Sequence, residues 1–473
     1  MISFFRISAI YKVFILGAVF AALYAPFFWY GMPLLGEEVH WMVIGERLVQ
    51  GKALYTEVID DISPLAAYVY WLLVLVAGKS VWVFRGVALA LIILQAFLFN
   101  QLMRSRQIFL DRTLAPVLVY WVLMFASIDM FSLSPALLAN TFLIVALNLA
   151  MLQISEKSHE SAYFELGIWV GIAALFYLPS VFILFALWFA MFLFTGARLF
   201  SYIAVLLGML FPLGLLLLVY YLTNQEYAFL QSYLGGYSFQ LPQTYFSVDD
   251  WLILLAMPIL LVIGAFLLIN GNSKFTNYQE RCHNIAFYWI VAGGVGVLFN
   301  NELSIADLIY LVPALAVVFS SFFLLIRYWI IREFLFATWI AASLFITFDG
   351  LHSLYPYLIP GRKTVVNPTA LFVQPNSVGY FKQKKVMILG EMDWSIYQDS
   401  KPATPFIDWR LAQRRLHNLQ DYGTLTYLYE VLNQERPEII LDKAKIVPTL
   451  FEHLPTIARQ YQWSNEQQAY IRK

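Results

Sequence analysis

Glu37-Glu38-Val39-His40-Trp41, followed by Gly51, Tyr55, Glu57, Asp60-Asp61 and Ser63-Pro64-Leu65, is a carboxylate-rich stretch set between long apolar runs. Charge beside a bilayer raises the free energy unless it is solvated or paired. Acids gathered here therefore mark an aqueous loop between membrane helices and suggest chemistry or ligand binding. The rest of the chain agrees, since 61% of its 473 residues are hydrophobic and only 13% are charged. An average soluble domain carries roughly a quarter charged residues. Repeated apolar runs of about 17–25 residues indicate a polytopic α-helical membrane protein. Net charge is zero and points to no nucleic-acid partner. The single cysteine, Cys282, excludes an internal disulfide and a cysteine-based metal cluster; it is expected in a cytoplasmic loop as an ordinary thiol.

Working outward, the apolar run from Ile10 to Phe28 is too long for a signal-peptide core, and no small-residue cleavage site follows it. It is read as a retained first membrane helix. Further helices are expected near 81–103, 113–131, 136–154, 163–178, 180–196, 202–223, 252–270, 285–300, 306–326 and 330–349, which with 10–30 makes eleven. Pro179 marks either a turn or a kink within 163–196. Arg6, Lys12, Arg104, Arg106, Arg112, Arg198, Lys274, Arg281, Arg327 and Arg332 fall on one side of these helices. Glu37, Glu38, Glu57, Asp60, Asp61, Glu226, Asp249, Asp250 and Glu302 fall on the other. Lys and Arg favour the cytoplasmic side, so the N-terminus is expected inside and the C-terminal region outside. Arg47, Lys52 and Lys79 are the exceptions, all in the first outer loop.

The domains expected are thus a membrane domain over 1–349, with long outer loops at 31–80 and 224–251, and a soluble extracytoplasmic domain over 350–473. In the first loop, Glu38–Gln50 has helical periodicity. Leu65–Val76 is apolar but short, which suits a juxtamembrane helix. The second loop is rich in aromatics (Tyr227, Tyr233, Tyr237, Phe239, Tyr245), read as an interfacial belt or as a wall stacking on a sugar. Beyond 350, strands at Val386–Leu389 and Glu438–Leu441, a helix at Thr424–Asn433 and a last strand near Tyr470 indicate a small α/β domain. Gly390 alone is no nucleotide-binding fingerprint.

Glu37 and Glu38 stand where a helix begins, and exposed amides there favour negative charge. They are helix caps or, alternatively, a general base for an acceptor hydroxyl or amine. Paired acids among Glu57, Asp60 and Asp61 can also hold a divalent cation through oxygen ligands. His40 could join either role or simply pack beside Trp41.

At these residues the chain resembles the C-type (GT-C) polyprenyl-phosphate-sugar-dependent membrane glycosyltransferases, which include protein O-mannosyltransferases and bacterial lipid A aminoarabinose transferases. Members carry an Asp-Glu pair after the first membrane helix, continued in the mannosyltransferases as Asp-Glu-Val-His-Phe. Glu37-Glu38-Val39-His40-Trp41 is similar to it. Bacterial members then show a Gly, a Tyr, an acid and Pro-Pro-Leu. Gly51, Tyr55, Glu57 and Ser63-Pro64-Leu65 take those places, and Gly78 and Arg85 match a Gly and an Arg at the second membrane helix. Tyr310-Leu-Val-Pro313 resembles a late-helix segment; Lys385–Gly390, Tyr397 and Arg436-Pro437-Glu438 resemble the outer soluble domain. The departures are Glu37 for the usual Asp, Ser63 for a proline, and a longer spacing from Glu57 to Pro64.

The resemblance implies transfer of a sugar from a polyprenyl-phosphate donor to a lipid, glycan or protein acceptor, with inversion, at the outer membrane face. It makes Glu37, with Glu38, the catalytic acids. Arg85 becomes the donor-phosphate partner, with Lys52 and Lys79 behind it; otherwise Arg85 snorkels or pairs with an acid. His40, Tyr55, Glu57, Asp60 and Asp61 would line the acceptor side or hold a divalent metal. Likeness to the bacterial members makes the inner membrane, with a periplasmic C-terminal domain, the expected location. Two other readings stay open. One is a member that has lost catalysis and serves as a membrane scaffold or assembly subunit with a membrane-protein partner. The other is a transporter, against which stands the absence of repeat symmetry.

Overall fold

A computed structural model describes residues 33–110, 113–155, 160–237, 242–244, 246–271, 275–352, 371–373, 379–416 and 421–473, together with 15, 17, 18 and 22. The expected first membrane helix, 10–30, lies outside the described residues but for those four, as do Arg6, Lys12, Arg112, Lys274, Phe239, Gln240 and Tyr245. The chain forms two compact units. One comprises Met1–Pro33, Trp82–Leu216 and Phe239–Ala370; the other comprises Leu34–Val81, Leu217–Ser238 and Leu371–Lys473. In this grouping the first loop, Leu34–Val81, falls in the same unit as Leu371–Lys473.

The second unit begins with helix α1, Gly36–Val49, and helix α2, Pro64–Ala77. Gly45 lets them approach closely: a Cβ there would sit 2.7 Å from the Tyr70 carbonyl oxygen. Ala66, Ala67, Tyr70 and Val74 of α2 are buried, whereas Tyr68, Leu72, Leu75 and Val76 form an exposed apolar face.

Helices α3 (Val81–Arg106), α4 (Ala115–Met124), α5 (Pro135–Ser155), α6 (Glu160–Phe176), α7 (Ile183–Phe194), α8 (Leu199–Leu222), α9 (Val248–Asn270), α10 (Asn277–Val297), α11 (Val312–Leu325) and α12 (Trp329–His352) follow. Among the described residues six helical stretches are long and apolar enough to cross a membrane, at Val81–Arg106, Pro135–Ile154, Leu199–Leu222, Val248–Asn270, Ala306–Leu325 and Trp329–Thr347. The chain is an integral membrane protein. A helix stands at every expected position from 81 onward, but α4 is shorter than the expected 113–131. Its ten residues rise only about 15 Å, half a bilayer core. Pro179 lies in a tight 3₁₀ turn, Leu178–Phe182, so 163–196 is two helices. Cys282 is buried within α10 rather than in a loop.

Inside the first unit, small and polar residues join apolar helices, as expected where lipid offers no hydrophobic drive between them. Gly167 and Gly171 of α6 meet α8 at backbone distance, where added Cβ atoms would fall 2.0 and 2.3 Å from the Val205 and Met209 carbonyl oxygens. The Gln95 amide donates to the Leu137 carbonyl at 2.7 Å, and the Tyr120 hydroxyl donates to Gln95 at 2.9 Å, linking α3, α4 and α5.

The C-terminal part of the second unit is a mixed sheet. Its strands are β1 (Lys385–Leu389), β2 (Lys401–Pro402), β3 (Ile439–Asp442), β4 (Tyr461–Ser464) and β5 (Ala469–Arg472), in spatial order β2-β1-β3-β5-β4. The pairs β2–β1 and β1–β3 are parallel, and β5 runs antiparallel to β3 and β4. Helices α13 (Trp409–Leu416) and α14 (Tyr422–Glu435) connect β2 to β3. The expected strands and helix are present, one or two residues displaced, and β2, β4 and α13 are added. The core, with Met387, Leu389, Phe406, Leu432 and Ile440, takes in Ile59 of the first loop. Ile59 N–H donates to the Pro405 carbonyl at 2.7 Å and its carbonyl accepts from Asp408 N–H at 2.9 Å, so the loop adds a short strand-like bridge.

Candidate functional site

Helix α1 starts where Leu35 turns extended, pinned by Gly36 N–H to the Leu371 carbonyl at 2.9 Å. Glu37 and Glu38, in its first turn, have different surroundings. Glu38 is 1% exposed, and its carboxylate accepts the Leu35 N–H at 3.2 Å, a helix-capping geometry. Glu37 is half-buried. Burial first, and then the charge of Glu37, raise the pKa of the Tyr70 hydroxyl on α2.

One turn on from Glu37, His40 Nε2 lies 2.7 Å from Asp60 Oδ2. Asp60 is fully buried, and its other oxygen accepts the Ile62 N–H at 2.8 Å, so the loop backbone fixes the carboxylate. The imidazole stacks on Trp394 at 4.7 Å and stays 23% exposed. Asp61 pairs with Arg410 at 3.2 Å, and Arg410 with Asp408 at 3.0 Å. Burial raises the Asp408 carboxyl above its ordinary value, against the pull of Arg410.

The remaining expected site residues are held elsewhere. Lys52 bonds to Glu57 at 3.0 Å and to Glu435 at 3.2 Å. Burial alone would lower the Lys52 pKa, but these two carboxylates raise it on balance. Burial alone would raise Glu57, yet the Ala53 N–H and Lys52 bring it below its ordinary value. Lys79 pairs with Glu46 at 2.9 Å and reaches the Ser400 carbonyl at 3.2 Å. Tyr55 is fully buried, its hydroxyl donating to the Ile62 carbonyl at 2.7 Å and its ring set among Tyr220 and Phe229. Phe229 stacks on Tyr233 at 5.3 Å, so this part of the aromatic second loop is packing, while Tyr227 is exposed. Arg85 belongs to the first unit, where it is 4% exposed and donates to the Pro33 carbonyl at 2.8 Å.

Among the described residues, no group of three or more His, Cys, Asp or Glu side chains is placed to hold a metal ion. The expected oxygen ligands are engaged instead, Asp60 by His40 and Ile62, Asp61 by Arg410, and Glu57 by Lys52 and Ala53. They do not fit a divalent cation as they stand.

The second unit thus gathers Glu37, Glu38, His40, Lys52, Tyr55, Glu57, Asp60, Asp61 and Lys79 in one compact body. Trp394, Asp408, Arg410 and Glu435 join them, residues that sequence reasoning passed over. They lie more than 300 positions away in a stretch of ordinary soluble composition, with no local signal to mark them.

No family model and no curated protein sequence matches this chain. Solved structures are similar to it, among them the following two. One is ArnT from Cupriavidus metallidurans, bound to undecaprenyl phosphate, at 13% identity and a TM-score of 0.48, covering 73% of this chain and 66% of that one. The other is the oligosaccharyltransferase of Archaeoglobus fulgidus in complex with zinc and sulfate, at 10% identity and a TM-score of 0.42, covering 91% of this chain and 67% of that one.

Proposed function

We propose that this integral membrane protein is a GT-C-type glycosyltransferase. It moves a sugar from a polyprenyl-phosphate donor to a lipid, glycan or protein acceptor at the outer face of the membrane. The observation that carries the reading is the first turn of α1. Glu37 sits half-buried at the end of a helix where backbone amides accumulate, one turn from a largely buried histidine bonded to a buried aspartate. The order of Glu37-Glu38-Val39-His40, Gly51, Tyr55, Glu57 and Pro64-Leu65 supports the same reading.

In the proposed reaction, Glu37 engages the acceptor hydroxyl or amine and aims its lone pair at the anomeric carbon. Attack from the face opposite the phosphate inverts that carbon and releases polyprenyl phosphate. The phosphate needs a cationic partner, a role that the resemblance gives to Arg85, whose fork suits two oxygens. Lys52 and Lys79 are weaker partners, because carboxylates already hold them. The loop's bonds to the C-terminal sheet keep α1 rigid, as a site of tight geometry requires.

Transfer from radiolabelled polyprenyl-phosphate sugars into membrane acceptors tests this. Wild type should incorporate label, and Glu37→Gln should lower the rate on the order of a hundredfold or more while unfolding at the same temperature. Equal incorporation by both removes Glu37 from the chemistry. A second reading is favoured by the structural pairing of Glu38, Lys52, Glu57 and Lys79, namely a non-catalytic scaffold or assembly subunit. Absence of label with every donor, alongside a co-purifying membrane partner, selects it.

A further inference from the structure

We propose that the N-terminal turn of α12, with Arg332 and Arg327, binds the phosphate of an anionic phospholipid headgroup on the membrane face where Lys and Arg collect. Nothing in this site depends on sugar transfer. Arg332 is only 7% exposed, and its Nε is buried without a hydrogen-bond partner. Among the described residues its side chain has no hydrogen bond and no ion pair. A guanidinium taken out of water without an acceptor is strongly unfavourable. The position therefore calls for an anion that the chain itself does not supply.

The burial follows from the helix face. Arg332, Phe336 and Trp339 recur at i, i+4 and i+7 along α12. Phe336 and Trp339 pack on Phe323 of α11 at 5.0 and 5.6 Å, and Arg332 extends that covered stripe to the helix end. The Cα–Cβ bond in a helix tilts toward the N-terminus, which sets the arginine stem back along the first turn. The first helical bond of α12 runs from the Arg332 N–H to the Tyr328 carbonyl at 3.0 Å. The amides of Trp329, Ile330 and Ile331 precede it and have no acceptor within the helix. Amide donors, the positive end of the helix dipole and a guanidinium fork thus share one helix end, and phosphate oxygens suit all three.

The surroundings of this turn select a lipid as the source of the phosphate. Tyr328, Trp329, Ile330, Ile331 and Phe334 are exposed, at the start of a stretch long and apolar enough to cross a membrane. Aromatic side chains in that position sit at headgroup level. Arg327, exposed in the three-residue turn between α11 and α12, adds a second cation at the same level. Glu333 is half-buried and follows Arg332, about 100° further around the helix. A phospholipid with a net negative headgroup fills the donors with its phosphate and covers the apolar flank with its acyl chains. Free phosphate would leave that flank unused.

Thermal unfolding of the full-length protein in detergent tests the site, with dioleoylphosphatidylglycerol, dioleoylphosphatidylcholine or inorganic phosphate added. Phosphatidylglycerol should raise the wild-type melting temperature saturably, and the other two should not. Arg332→Gln should weaken the apparent affinity for phosphatidylglycerol by about ten- to a hundredfold. Arg327→Gln, at an exposed position, should weaken it about fivefold. Arg198→Gln, at an exposed arginine of another connection, should leave it unchanged. Without lipid, Arg332→Gln should melt at or above the wild-type temperature, since it removes an unpaired buried charge. A lipid-free Arg332→Gln protein that melts lower or fails to fold shows a structural arginine and overturns the site. Unaltered affinity in either variant of the turn, or equal loss in Arg198→Gln, overturns it as well. Equal stabilisation by inorganic phosphate overturns the lipid as its occupant.

Discussion

Tyr55 has φ of +70°, a left-handed backbone that a bulky side chain adopts only when its surroundings enforce it. The enforcing contacts are its hydroxyl on the Ile62 carbonyl, its N–H on the Val58 carbonyl at 2.8 Å, and the rings of Tyr220 and Phe229. The bond to Ile62 spans the segment that presents Asp60, so the tyrosine shapes the loop without touching its exposed edge. Tyr55→Phe keeps the ring but removes the donor to a buried carbonyl, and should destabilise the protein by about 1–2 kcal/mol. Tyr55→Gly relieves the backbone but removes the ring, and should be worse, by about 3–5 kcal/mol. Thermal unfolding in detergent reads both, and a Gly variant more stable than the Phe variant would show that strain, rather than packing, governs the position. The motif residues around Tyr55 are legible in the sequence as a set. Their separate duties are not, because Glu38 becomes a cap and Lys52 a bridge only through groups the linear pattern does not display.

At the scale of elements, α1 and α14 are joined by Arg47 and Glu435, which form a two-pronged pair at 2.8 and 2.5 Å across 388 positions of sequence. Arg47 is 1% and Glu435 9% exposed, and Lys52 adds to the same carboxylate at 3.2 Å. Glu435→Ala leaves a buried guanidinium without its partner and should destabilise the protein by about 3–5 kcal/mol, whereas Arg47→Met with Glu435→Leu should recover most of that. Burial opposes ionisation of Glu435, but Arg47 and Lys52 outweigh it and lower its pKa. A lowered acid stabilises the fold above its ordinary value of 4.5 and loses that effect as pH falls through the lowered value. The raised Lys52 behaves oppositely, contributing below 10.5 and losing its contribution at higher pH. Melting temperature should therefore drop at acid pH, and Glu435→Gln should flatten that limb; an acid limb unchanged in the variant would exclude this pair as its source. Helices from 81 to 352 were readable because each apolar run is separated by charges or by Pro and Gly. The Arg47–Glu435 tie and the seating of Ile59 in the sheet core were not, since hydrophobic period says nothing of which distant element covers a face.

For the whole molecule, the distribution of charge carries the remaining expectation. Lys and Arg crowd one set of connections and acids the other, and eleven crossings would then put the C-terminal α/β domain on the side opposite the N-terminus. The proposed chemistry needs that placement, because donor, acceptor and the α1 face must meet in the same compartment as the sheet domain that holds α1. Cys282, the sole native thiol, is buried, so introduced cysteines can report on sidedness. Tyr422, 83% exposed at the start of α14, is a suitable reporter for the sheet domain. Arg198, exposed ahead of α8, reports on the cation-rich side. A membrane-impermeant maleimide added to intact spheroplasts should label Tyr422→Cys and leave Arg198→Cys unlabelled until the membrane is opened. The reverse pattern would place the sheet domain and α1 in the cytoplasm, where the acceptor and donor phosphate would have to be sought instead. Labelling of both residues in sealed cells would break the charge argument itself, since residues expected an odd number of crossings apart would then share one side.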